Sequence, residues 1–330
     1  MTRESQEKLS LFAQNARDAK RGLRGRSPML RRLAALLYAQ EGKPVDCMAI
    51  KQCYAMMKAN TGFFSTFRGN MSLCIAAMLS LQSDPTRVFE ATLAVYTMLK
   101  QDKFRASDYL VVAAYQIAAG TEPGNYANAV GRTKEVYDGM KAYHRFYTGQ
   151  DDYIFAAMHG LADQETREVA DRIERMFQRL KGEFWDRNSV QSLAQVMVLG
   201  GSEDQTIERV LALRDALKKR KLRLDRAYVM PTLGILALLP VAVEEIVDSI
   251  NETLLLLRRE KGFGMFSVNK QELLMLSAAL VAWDYADAVK GGMLSATLST
   301  AITNIIIAQQ AAMIAAMAAS SAAATAAANS

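Results

Sequence analysis

The two histidines of this 330-residue chain, His144 and His159, flank a pair of carboxylates, Asp151 and Asp152. Imidazole nitrogens and carboxylate oxygens are the ligands that zinc and similar divalent ions take. If the segment 145–152 folds back, the four side chains could meet as a metal site or as a cryptic acid–base site. The competing reading is plainer. One histidine lies on a helix, the other at the end of the next helix, and an aspartate caps the helix start between them. Glu244, Glu245 and Asp248 put carboxylates four residues apart on one helix. No Glu-x-x-His accompanies them, so a solvated acidic first turn explains them better than a di-iron bundle. The chain holds no G-x-x-x-x-G-K-[ST] loop, no G-x-G-x-x-G after a strand and no G-x-S-x-G elbow. No cofactor is expected, and the chain reads as a non-enzyme.

Two basic clusters could contact phosphates. One is Lys20, Arg21, Arg24, Arg26, Arg31 and Arg32; the other is Lys218, Lys219, Arg220, Lys221, Arg223 and Arg226. The net charge of +6 comes from residues 1–32, which hold nine Lys/Arg against three carboxylates; the remainder is balanced. Helical arrays do bind RNA through such charge, so nucleic acid stands as an alternative ligand. Against it, no pair of side chains recurs at fixed repeat positions, and solvated surface charge accounts for the same residues.

The three cysteines, Cys47, Cys53 and Cys74, fit neither a disulfide framework nor a zinc knuckle. With no apolar signal core in MTRESQEKLS, they suggest buried thiols in a reducing cytoplasm. From Gly291 to Ser330 there is no charged residue. Residues 294–317 are long enough to span a bilayer, but they are mostly Ala and include Asn304, Gln309 and Gln310. A terminal helix packed on the rest of the chain, then an Ala/Ser tail over 319–330 without fixed structure, is the expectation.

The elements that must position these residues are helices. An apolar residue, a Lys or Arg, and an aromatic or Leu about five residues on recur six times. The copies are Met57-Lys58 with Phe63, Leu99-Lys100 with Phe104, Met140-Lys141 with Phe146, Leu180-Lys181 with Trp185, Leu217-Lys218 with Leu222 and Leu257-Arg258 with Phe263. They stand 37 to 42 residues apart, and a degenerate copy begins at Ala19-Lys20. An amphipathic helix precedes each phrase, as in Val169, Ile173, Met176 and Phe177. Asn70, Ser107, Asp151, Asn188, Asp225 or Asn269 then opens a second, more uniformly apolar helix, and Ser27-Pro28 fits the same scheme.

The spacing therefore predicts an all-α solenoid of six to seven stacked hairpins of roughly 40 residues, with an Ala-rich C-terminal helix. The units fall at 1–42, 43–82, 83–122, 123–163, 164–201, 202–240 and 241–290, with the last helix at 291–318. In each, an outer helix (A) should expose a charged face and an inner helix (B) should be sandwiched. The bend aromatics either wedge neighbouring units together or line a peptide groove.

NTGFFSTFRG with MSLCIAAML, ASDYLVVAAYQIAA, YDGMKAYHRF, DDYIFAAMHGL, LRLDRAYVMPTLGILALLP and QQAAMIAAMAASSAA together resemble an uncharacterised family from Gram-positive bacteria, the domain of unknown function numbered 4003. The likeness runs over essentially the whole chain. It implies a bacterial protein with no assigned activity and brings no site residues with it. The functional expectation is a scaffold whose A-helix faces bind a protein or peptide.

Overall fold

The computed structural model describes residues 3–162, 164–199, 203–288 and 293–328. Fourteen of its helices form seven hairpins: α1 (Arg3–Gly22) with α2 (Pro28–Gln40), α3 (Cys47–Ala59) with α4 (Ser72–Ser80), α5 (Pro85–Gln101) with α6 (Asp108–Gly120), and α7 (Tyr126–Tyr143) with α8 (Tyr153–Leu161). The series continues with α9 (Thr166–Leu180) and α10 (Arg187–Leu199), α11 (Glu203–Lys219) and α12 (Pro231–Leu238), and α13 (Val243–Arg259) and α14 (Lys270–Ala288). A last helix, α15, runs Met293–Ala328.

Within the seven hairpins the odd-numbered helices form the outer layer and the even-numbered ones the inner layer. The division follows from the sequence. On α9 one stripe is buried (Val169, Ala170, Ile173, Met176, Phe177, Leu180), as expected for a helix with solvent behind it. On α10 every residue from Ser189 to Val198 is buried, and on α4 every residue from Ser72 to Leu79, which requires neighbours on all sides. The two helices of a hairpin meet closely where small residues allow. A Cβ added to Gly160 of α8 would come within 2.8 Å of the Thr133 backbone nitrogen on α7.

The stack closes on itself. α1 packs against α3 on one side and against α13 and α14 on the other. Phe12 meets Phe263 edge-on with ring centroids 5.3 Å apart, and Arg17 pairs with Glu260 at 2.7 Å. Arg32 grips Glu272 with two 2.7 Å bonds, and Lys8 lies 3.7 Å from Asp284. An open array exposes an apolar face at each end and needs special capping units. Here each end caps the other.

α15 lies inside the ring, in contact with α2, α6, α8, α12 and α14. Ile302, Ile305, Ile306, Ile307, Ala308, Ala311 and Met313 are buried there. Thr300–Met317 has the length and composition to cross a membrane, yet half of it is buried against the inner helices. The helix continues to Ala328, through the Ala/Ser segment expected to lack structure. Alanine's helix propensity, the highest of any residue, favours that continuation. Residues 329–330 lie outside the described residues.

Because all inner helices run the same way, their N-termini gather at the end where the A-to-B bends lie, hereafter the bend face. Their C-termini gather at the opposite end. The C-terminal end receives charge that complements the helix dipoles. At the C-terminal end, Arg132 of α7 donates to the carbonyls of Gly160, Ala162 and Gln164. Arg209 of α11 does the same for Ala237, Leu239 and Val241, and Arg172 of α9 reaches Val198. These guanidiniums satisfy carbonyls that an ending helix leaves without partners.

Candidate functional site

The four residues read as a possible metal site go to different places. His144 ends α7 in the outer layer; its Nε2 donates to the Glu174 carboxylate, and its ring lies 4.2 Å from that of Phe177. Asp151 accepts a 2.8 Å bond from the Asn188 amide. Asp152 is buried. Its Oδ1 accepts from Gln195 Nε2 (2.6 Å) and Gln191 Nε2 (3.2 Å), and its Oδ2 from the Gly149 amide (2.8 Å). Burial, reinforced by the charge of Asp151, pushes the Asp152 carboxyl up to about 7. His159 is buried in α8 and bonds the Gln195 carbonyl through Nε2 at 3.0 Å; burial pushes it down to about 4. Asp152 and His159 thus share Gln195, one through its side chain and one through its backbone. Among the described residues no three His, Cys, Asp or Glu side chains are grouped to hold a metal.

Glu245 accepts a bond from Tyr285 (3.1 Å), and Asp248 pairs with Arg220 (2.5 Å). The three cysteines are free thiols, each pushed up by burial. The helix starts are only partly as read. Ser107 and Asn269 do cap, accepting from the amides of Leu110 and Glu272. At α10 the cap is Asp186 rather than Asn188, and Asp225 binds Arg223 instead of a helix end. The α4 start is held from the next hairpin, where Asp108 accepts from the Met71 amide.

At the mouth of the inner ring lies a cavity of about 220 Å³, bordered by Tyr109, Asp151, Asp186, Ser192, Tyr228 and Gln309. Its carboxylates are committed: Asp151 to Asn188, and Asp186 to Ser189 and the start of α10. They offset the converging helix N-termini.

The first basic cluster assembles at the ring closure. Lys20, Arg21, Arg24, Arg31 and Arg32 line a cavity of about 440 Å³ together with Arg17 and Lys261. Arg26 turns away and lies 4.0 Å over the Tyr54 ring. The second cluster is largely tied up in local contacts. Arg220 is paired with Asp248, Arg223 forks onto Asp225, and the Lys221 carbonyl accepts from Lys270. Lys218 and Lys219 close α11, and Arg226 stands beside Asp225.

The bend aromatics divide into two sets. Phe67, Phe104, Phe184 and Phe263 are buried wedges. Phe104, for example, sits 5.4 Å from Tyr137 and 4.9 Å from Tyr153. Phe63, Phe146 and Trp185, matched to that role by the repeat phrase, instead point outward. Phe67 and Phe184 take the inner place in two of those units, because the bends differ in length. Phe64, Phe146, Trp185 and Phe266 are each more than nine-tenths exposed, and Phe63 and Met265 more than three-quarters. All six lie on the bend face.

No curated protein and no solved structure was found to be similar to the chain. The family model described as "Protein of unknown function (DUF4003)" matches residues 17–311, nearly all of the closed hairpin ring and the buried part of α15, and the chain belongs to that family.

Proposed function

We propose that the chain is a non-catalytic docking module that binds a protein partner through its bend face. The observation that carries this reading is the gathering of six large, exposed apolar side chains on that one face. Aromatics held at the ends of packed hairpins are the residue types that anchor protein interfaces. Burying each contributes about 1.5–3 kcal/mol. Lys181, Lys218, Lys219 and Arg226 stand on bends of the same face, so the complementary partner surface is acidic. The tips lie around a ring rather than along a groove, which suits a broad folded surface better than an extended peptide. This moves the binding surface from the A-helix faces to the bends. The free thiols suit a reducing, cytoplasmic setting.

The test is a chain carrying Phe64→Ser, Phe146→Ser, Trp185→Ser and Phe266→Ser, whose thermal stability should match the parent because the removed side chains touch little. The parent should co-purify a stoichiometric partner from its host, with crosslinks mapping to the bends, and the variant should lose it. A partner retained undiminished by the variant overturns the reading.

One further observation favours a second surface. Exposed aromatic tips sharing one face with basic residues also suit an anionic bilayer. Trp185 reports on this directly, since the other tryptophan, Trp283, is buried. A blue shift of its fluorescence with phosphatidylserine vesicles, and none with phosphatidylcholine, would replace the protein partner by a membrane.

A further inference from the structure

The cavity at the ring closure is built from both ends of the chain. The last turn of α1 and the first turn of α2 supply one wall, and the bend of the last hairpin, with Lys261 and Phe263, supplies the other. Seven cationic side chains line it and no carboxylate does. Three of the seven have partners just outside: Arg17 with Glu260, Arg32 with Glu272 and Arg21 with Asp18 at 3.8 Å. The other four, Lys20, Arg24, Arg31 and Lys261, have no carboxylate partner among the described residues. Arg31 has only a long 3.4 Å contact to the Lys20 carbonyl. Surface charge that merely solubilises a protein is spread and mixed in sign. Four unmatched cations facing one concavity repel one another, and an anion entering it offsets that repulsion.

Two features narrow the ligand. The volume, about 440 Å³, is that of a small-molecule site rather than of a single inorganic ion. The charges also stand on three separate segments, an arrangement that linked phosphates can bridge. The start of α2 adds to this field. Pro28 borders the cavity, and the Ser27 hydroxyl caps no amide there, which leaves the first-turn N–H groups of Met29 and Leu30 without a side-chain acceptor.

We propose that this cavity binds a small polyphosphorylated ligand, and that the ligand fastens the first hairpin to the last. The groups that hold it are Lys20, Arg24, Arg31 and Lys261. None of these makes the ion pairs that close the ring, so binding and closure are separable by mutation. Because the ligand touches both ends, it stabilises the closed ring by mass action, by RT ln(1 + [L]/Kd).

The experiment titrates the full chain with inorganic pyrophosphate by calorimetry and follows thermal unfolding over the same concentrations. The parent should bind saturably at one site and unfold at higher temperature as pyrophosphate rises. A Lys20→Ala, Arg24→Ala, Arg31→Ala chain should unfold without ligand at a temperature no lower than the parent's, and its affinity should fall at least about tenfold. A Lys218→Ala, Lys219→Ala chain should bind as the parent does. A parallel arm uses phosphatidylcholine vesicles with and without a phosphoinositide. Saturation by soluble pyrophosphate identifies a free ligand. Retention by phosphoinositide vesicles alone, lost in the triple variant, identifies a lipid headgroup at the same site. The proposal is overturned if neither probe binds, if the triple variant binds undiminished, or if both multiple variants lose affinity equally. It is also overturned if single-stranded RNA binds more tightly than pyrophosphate and both variants weaken it.

Discussion

Arg32 in the second helix and Glu272 in the fourteenth, 240 residues apart, are joined by two parallel 2.7 Å hydrogen bonds in which both carboxylate oxygens are engaged. The Glu272 side chain is 2 % exposed and that of Arg32 13 %, so the pair is shielded from water and salt. Removing either partner strands a buried charge. Arg32→Met or Glu272→Leu should each destabilise the fold by about 3–5 kcal/mol, whereas the double substitution should recover most of that loss. Urea denaturation of the two single variants and the double variant checks this. If the two single losses simply add, the pair does not hold the closure.

The approach of α7 and α8 gives a paired prediction on glycines. Gly160→Ala puts a methyl group against the Thr133 backbone, which cannot turn aside, and should destabilise by about 1–3 kcal/mol. Gly131 lies on the same outer helix with open space around its Cα. There the change to Ala should stabilise by about 0.5–1 kcal/mol through helix propensity. Midpoints from thermal unfolding that move in the same direction would contradict the packing described.

Arg209 is bound to three carbonyls at the end of α12. Arg209→Met keeps the apolar stem and removes the donors. It should destabilise by about 2–3 kcal/mol, the scale of charged hydrogen bonds that leave acceptors unpaired. Hydrogen exchange should quicken first in α12. Quickening only in distant hairpins would speak against a local capping role.

Asp152 and His159 titrate in opposite senses. The folded chain holds the Asp152 proton up to about pH 7, whereas an unfolded chain releases it near 3.8. Its stabilising contribution is therefore full below 3.8 and lost as pH rises through 7. His159 is the reverse: its contribution is present above 6.5 and lost as pH falls through about 4. Between pH 4 and 7 the two slopes oppose. Relative to the parent, Asp152→Asn should gain stability as pH rises through this window, and His159→Gln should lose it. Unfolding free energies measured at stepped pH decide, and parallel curves for all three chains would refute the assignment.

The hairpins were legible from local pattern, because an amphipathic period and a fully apolar period read differently within a dozen residues. Closure was not. No feature near Arg32 marks Glu272 as its partner, and local periodicity carries no information about the angle between successive hairpins. The uncharged segment around Ile302–Met313 was ambiguous for the same reason, since a ring interior and a bilayer ask for similar composition. At the sites, the first basic cluster was visible as a run of Lys and Arg, but Lys261 joins it only through closure. Gln191 and Gln195 were missed as the partners of Asp152. Two amides four residues apart in the otherwise apolar stretch VQSLAQVMVL were the available signal. The outward turn of Phe146 and Trp185 could not be read, because wedge and tip positions on a bend have the same composition.

The helix that occupies the middle of the ring is the last of the fifteen to leave the ribosome. Until it arrives, the inner helices translated before it have nothing to cover their shared face, and α1, made first, has no α14 to meet. The ring can therefore close only once the whole stretch from α1 to α15 has been made, and until then its apolar interior is open to aggregation.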